Sequence, residues 1–144
     1  MSGTESLRRT VAPMIDHQAF GPMRASPCER GQWVWESLEL LDTDRGKVDL
    51  AFEAGPEGPG VRHRAQLSAI LALVDSLTRA AAPLIFAELA EAADNRWTEL
   101  VWRGAYVTGR EGEFRLEYSC RNWPDSMITA HFEGSTPAQV DVEN

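Results

Sequence analysis

Three histidines and two cysteines are the side chains in this 144-residue chain best suited to holding a metal or acting as a nucleophile. His17, His63 and His131 stand far apart, with no i,i+4 partner and no HExxH run, so none has metal-ligand spacing. Cys28 and Cys120 make no CxxC pair and are expected as independent thiols rather than a bridge. The chain has no GxSxG, no phosphate-cradling glycine loop and no GxGxxG. No catalytic residue, metal site or cofactor is expected from these patterns.

The elements that must position any site are more legible. Hydrophobic residues make up 43% and charged residues 25% of the chain, an ordinary globular composition. One domain is expected, with no apolar run approaching the roughly 20 residues that span a bilayer. No apolar run follows the Arg8-Arg9 pair, so a cytoplasmic protein is expected.

From Trp33 to Ala54 the pattern reads as a β-hairpin. Val34, Leu38 and Leu40 alternate with Trp35, Ser37 and Glu39, and after the Asp42–Gly46 turn Val48, Leu50 and Phe52 alternate with Asp49, Ala51 and Glu53. The glycine- and proline-rich run 55–60 ends it. Residues 62–94 are helical, since Leu67, Ile70, Leu71, Val74, Leu77, Ala81, Leu84, Ile85 and Leu89 make one apolar stripe at spacings of three and four. Pro83 interrupts the backbone bonding while the stripe stays in phase, which predicts a kink or short break. Asp94-Asn95 is the expected stop.

A second hairpin runs from Trp97 to Cys120 around the Gly109–Gly112 turn. Leu100, Trp102 and Tyr106 are assigned to one face of its first strand. Phe114, Leu116 and Tyr118 are assigned to one face of its second, with Arg115 and Glu117 opposite. A loop is expected at Asn122–Asp125, and a short edge strand at Met127–Phe132. Residues 1–32, broken by Pro13, Pro22 and Pro27, read as a loosely ordered arm that could dock through Val11, Met14, Ile15 and Phe20. Residues 33–134 read as the domain and 135–144 as a polar, frayed tail. The expected fold class is α+β: an antiparallel sheet of two β-hairpins, plus the edge strand, packed on one long Pro-kinked helix.

Charge limits the partners. The net charge is −8; residues 1–32 carry four Arg against three acids, and the remainder 19 acids against 10 bases. Such an acidic body is a poor binder of nucleic acid, whose phosphates need Lys and Arg. It suits a basic protein partner or plain solubility. Aromatic residues are at home both in hairpin cores and at interfaces. Glu99, Glu111, Glu113, Glu117, Trp123 and Asp125, on the second hairpin's polar face and flanking loop, are the candidate partner-binding residues.

Two resemblances bear on activity. Gly60-Val-Arg-His63-Arg before the helix carrying Asp75 loosely resembles hot-dog thioesterases, which place a His-Gly-Gly turn before a central helix whose acid activates water. Here Arg64-Ala65 replaces the Gly-Gly, and the 47 residues after Trp97 leave room for roughly three strands. That resemblance implies a thioesterase or small-ligand-binding protein using His63 and Asp75. The strand from Trp33 to Leu41, the Gly46–Phe52 strand, the helix and the Trp97–Tyr118 hairpin together resemble the YezG-like family of bacterial antitoxin or immunity proteins. The closest piece is Gly112-Glu-Phe-Arg-Leu-Glu-Tyr118. This resemblance implies a non-enzymatic protein that binds and neutralises a cognate toxin, often a nuclease. A third reading is a scaffold module that self-associates through the Met127–Phe132 edge.

Overall fold

The computed structural model describes residues 13–28, 32–89 and 96–143, and side chains for all of these except 96 and 97. Val11, the Asp94-Asn95 stop and the Trp97 side chain lie outside the described residues. Nine strands form one sheet: β1 (Met14–His17), β2 (Gly21–Pro27), β3 (Trp33–Ser37), β4 (Leu41–Thr43), β5 (Gly46–Ala54), β6 (Leu100–Val107), β7 (Glu113–Cys120), β8 (Trp123–Glu133) and β9 (Thr136–Glu143). Their order is β1-β2-β3-β5-β6-β7-β8-β9, with β4 pairing a separate stretch of β5. Among the described residues a single helix, α1 (Val61–Glu88), joins β5 to β6, and a 3-10 turn at Arg96–Glu99 precedes β6. The architecture is α+β, one helix on a mostly antiparallel sheet.

The central pair departs from the antiparallel expectation. Strands β5 and β6 run parallel, with Leu50 beside Ala105 and Phe52 beside Val107. The cause is the connection: a helix long enough to cross back over the sheet returns the chain to the end where β5 began. Everything outward from that pair is a hairpin meander, β6 to β9 on one side and β5 to β1 on the other.

Strand periodicity places the core on the face beneath α1. Val48, Leu50, Phe52 and Ala54 on β5, with Phe114, Leu116, Tyr118 and Cys120 on β7, are buried at alternate positions, as the sequence pattern predicts. On β6 the expectation fails halfway. Leu100 and Trp102 point into the core, but the register slips between Trp102 and Gly104, so Ala105 and Val107 continue inward and Tyr106 turns out. One inserted residue, Arg103, reverses the facing of everything after it.

The first hairpin is inverted at its start. Trp35 is 1% exposed and Val34 only half-buried, while Leu38 and Leu40 are 45% and 49% exposed. Strand β3 ends at Ser37, and bends there break the alternation before β4. Trp35 pairs with Phe52 and donates from Nε1 to the Gly55 carbonyl at 2.8 Å, so its indole both fills the core and caps the loop beyond β5.

The expected arm and tail are structured where they are described. Residues 14–27 form β1 and β2, with Met23 and Ala25 fully buried and Ile15 and Phe20 packed against the core; Met14 is exposed. Pro22 and Pro27 forbid a helix yet are tolerated near the ends of a strand. At the other terminus 136–143 is β9, its Val140 buried, so β8 lies between β7 and β9 and is no edge. Four strands follow Trp97 rather than three. The loop expected at Asn122–Asp125 is a tight turn at 121–122, because Trp123 already pairs with Cys120.

Helix α1 runs without a break through Pro83, which sits on its exposed side, and ends at Leu89, whose N–H donates to the Ile85 carbonyl. Leu67, Ile70, Val74, Leu77, Ala81 and Ile85 are buried, whereas Leu71 is 38% exposed. The helix lies chiefly against β9, with contacts to β6 and β8. By length and composition it would suffice to cross a bilayer, but here its buried face packs on the sheet. One buried polar tie joins the layers: Thr78 donates to the Val74 carbonyl, and its hydroxyl lies 3.0 Å from that of Tyr118. Burial pushes the Tyr118 phenol pKa strongly upward, against the smaller lowering effect of Thr78.

Candidate functional site

His63 and Asp75 do not meet. Twelve residues separate them on one helix, about 18 Å at 1.5 Å per residue. The His63 ring is already engaged at both nitrogens. Nδ1 accepts from the Gly60 N–H at 3.1 Å, and Nε2 lies 2.7 Å from the Glu53 carbonyl, which requires the proton on Nε2. This imidazole closes the helix start and ties it to the end of β5. Asp75 instead pairs with Arg45 from the β4–β5 turn. The remaining histidines are also held: His17 lies 2.8 Å from the Pro59 carbonyl and accepts from the Ala19 N–H, and His131 pairs with Asp141 at 2.8 Å. Cys28 and Cys120 are not joined in a disulfide.

The six candidate contact residues are brought to three places rather than one. Glu111 and Glu113 sit at the β6–β7 turn, while Glu99, Trp123 and Asp125 sit at the opposite end of the hairpin. The seven steps along β7 between these ends span about 23 Å. Glu113 pairs with Arg110, Trp123 is half-buried against the core, and Glu99 is half-buried. Glu111 and Asp125 are exposed. Glu117 alone lies mid-sheet, on the face away from α1.

That outer face has an acidic focus which the sequence pattern did not reveal. Register places Asp49, Gly104, Glu117, Thr129 and Asp141 in one row across five strands. A Cβ on Gly104 would stand 2.8 Å from the Asp49 carbonyl oxygen, so only glycine fits there, and no side chain separates Asp49 from Glu117. Burial raises the Glu117 carboxyl above its ordinary value; the charges of Asp49 and, less, Glu36 add to this, and Arg115 opposes it. Arg115 itself stacks over the Tyr106 ring, its guanidinium carbon 4.6 Å from the centroid. Finding Asp49 from sequence would have required the register of the β5–β6 pair, which is set by the helical crossover.

This raised carboxyl has a measurable consequence. The folded protein holds the Glu117 proton more tightly than the unfolded chain does, so the group favours folding at low pH. That contribution is lost as pH rises through the raised value. Glu117→Gln is therefore expected to be more stable than the parent at pH 7, and the difference to close on acidification to below the ordinary carboxyl value. Thermal unfolding of both proteins at neutral and acid pH checks this; a variant less stable than the parent at pH 7 would contradict it.

A buried carboxylate organises the edge of this face. Glu53, 5% exposed, accepts from Arg110 Nη2 at 2.9 Å and lies 3.8 Å from the Cys28 sulfur. Arg110 also pairs with Glu113, and the two carboxylates hold its guanidinium fully charged, well above its ordinary pKa. Gln66 locks the same turn to α1. Its Oε1 accepts from the N–H groups of Thr108 and Gly109, and its Nε2 donates to the carbonyls of Arg110 and Glu113. Gly109, at φ +75°, completes the approach, since a Cβ there would stand 2.8 Å from His63 Nε2.

Comparison of the chain with family models, with curated proteins and with solved structures gives no match. The geometry supplies a paired-carboxylate surface on one side of the sheet and a groove beside the helix on the other, with no His–acid dyad between His63 and Asp75.

Proposed function

We propose that this is a non-enzymatic, cytoplasmic immunity or antitoxin protein of the YezG-like kind. It binds and neutralises a cognate bacterial toxin through the outer face of the sheet. The observation that carries this reading is the approach of Asp49 and Glu117 across Gly104, with Glu36 adding to the same field and Arg115 only partly offsetting it. Like charges held beside the half-buried Glu117 are relieved by a cation brought from outside. A basic partner supplies that cation, and a nuclease surface shaped to hold phosphates is a natural instance. Such complementarity raises the encounter rate more than the final affinity. Affinity would come from a few desolvated anchors, for which the half-buried Trp123 at the hairpin's far end is the aromatic candidate. Glu99 and Asp125 flank that end, while Glu111 and Glu113 lie on the turn beyond the reach of a small footprint.

The direct test is co-purification of the tagged chain with the product of its neighbouring gene, followed by Asp49→Lys combined with Glu117→Lys. Capture of the neighbour, with an association rate that falls with salt and drops at least about tenfold in the double variant, supports the reading. A neighbour that is harmless when expressed alone, or binding indifferent to the charge reversal, overturns it.

A further inference from the structure

A groove of about 640 Å³ runs beside the first half of α1, bounded by the β6–β7 and β8–β9 turns. That volume lies within the roughly 300–1,000 Å³ usual for small-molecule sites. Its helical wall extends from Arg62 to Leu77, about 22 Å at 1.5 Å per residue. Spread over that length, the volume gives a cross-section of about 30 Å², which suits one extended chain better than a compact ligand.

The groove is graded along its length. Near the helix start its walls are polar, with Arg62, Gln66 and Glu111; Ala69, Leu73, Leu77 and Phe114 supply an apolar lining, and Ser135 adds one hydroxyl from the β8–β9 turn. Leu73 is 49% exposed, more than burial of an isolated core helix would leave, and a ligand in the groove would cover it. At the polar end Gln66 is spent on holding the turn and Arg110 on Glu53 and Glu113. Arg62 is exposed and has no ion pair among the described residues. No acid occupies the first turn of α1, so its N–H groups reinforce the positive charge.

We infer that this groove binds a single-chain amphiphile with an acidic headgroup, its head against Arg62 and its hydrocarbon chain along Ala69, Leu73, Leu77 and Phe114. Glu111, across the polar end, works against that head and limits affinity. The site lies on the opposite side of the sheet from the Asp49–Glu117 row and stands whether or not that row binds a protein.

The test is calorimetric titration of the whole chain with hexadecanoic acid, below the concentration at which it self-associates, and with uncharged hexadecanol. Saturable one-to-one binding of the acid is expected. Ala69→Trp, which fills the groove from an exposed helix position, and Leu73→Asp, which puts a charge in the chain path, should each weaken it at least about tenfold. Arg62→Glu should weaken the acid and spare the alcohol, and Glu111→Gln should tighten the acid. Absence of saturable binding, or binding undiminished in Ala69→Trp and Leu73→Asp with their unfolding transitions intact, overturns the inference. A concentration-dependent dimer that Ala69→Trp abolishes would also overturn it, assigning the groove to a second copy of the chain.

Discussion

Trp35→Ala is expected to destabilise the protein by about 3–5 kcal/mol, whereas Val34→Ala, one position away, should cost about 1 kcal/mol or less. The asymmetry follows from facing. Trp35 is 1% exposed, pairs with Phe52 across β3 and β5, and donates its indole N–H to the Gly55 carbonyl. Its loss removes a large apolar side chain from a packed interior and leaves that carbonyl without its donor. The following loop rests on the same ring, since a Cβ on Gly58 would stand 4.0 Å from the indole. Val34 is half-buried on the other face, beside Glu53. Alternation alone, read outward from Leu38 and Leu40, assigns Val34 to the core and gives the opposite ranking. Chemical unfolding of the two variants decides between them, and similar losses would mean that β3 is turned over.

The same residues show where the sequence was informative. Strict alternation along β5 and along β7 as far as Tyr118 is undisturbed, and there the inward positions Val48, Leu50, Phe52, Phe114, Leu116 and Tyr118 were legible. The helix was legible for the same reason, because a 28-residue element repeats its apolar spacing many times. What defeated the pattern was local and single: the inserted Arg103 on β6 and the bends after Ser37, each of which reverses facing without changing residue types. Strands β1, β2 and β9 are carried by pairing to a neighbour rather than by their own apolar content. A window containing two prolines therefore reads as an arm, and one whose only large apolar residues are Val140 and Val142 reads as a tail. The acidic focus was half legible. Glu117 follows from the β7 alternation, but Asp49 joins it only through the parallel β5–β6 register. Gln66 gave no signal at all, since an exposed-looking glutamine on the first turns of a helix has nothing in its spacing to mark it.

Gln66→Ala is the second substitution with a large expected effect, about 2–4 kcal/mol, because four hydrogen bonds worth roughly 0.5–1.5 kcal/mol each are lost together in a half-buried setting. Two of the groups left behind are backbone N–H donors and two are carbonyls, so no single replacement side chain of one polarity can serve them all. Gln66→Glu isolates that point. A carboxylate can still accept from Thr108 and Gly109, but its second oxygen faces the carbonyls of Arg110 and Glu113, acceptor against acceptor. At neutral pH this variant should be at least as unstable as Gln66→Ala, and it should recover as acidification returns a donor proton to the carboxyl. Urea unfolding at two pH values separates the cases, and a Gln66→Glu variant as stable as the parent at pH 7 would show that the Nε2 bonds contribute little. The turn held by Gln66 is also one wall of the groove, so both variants should lose hexadecanoate binding along with stability. Glu117→Gln, far out on the opposite face, should leave that binding unchanged. The latch and the groove are thus one construction, in which the residue that fastens the β6–β7 turn to the helix also sets the width of the slot between them.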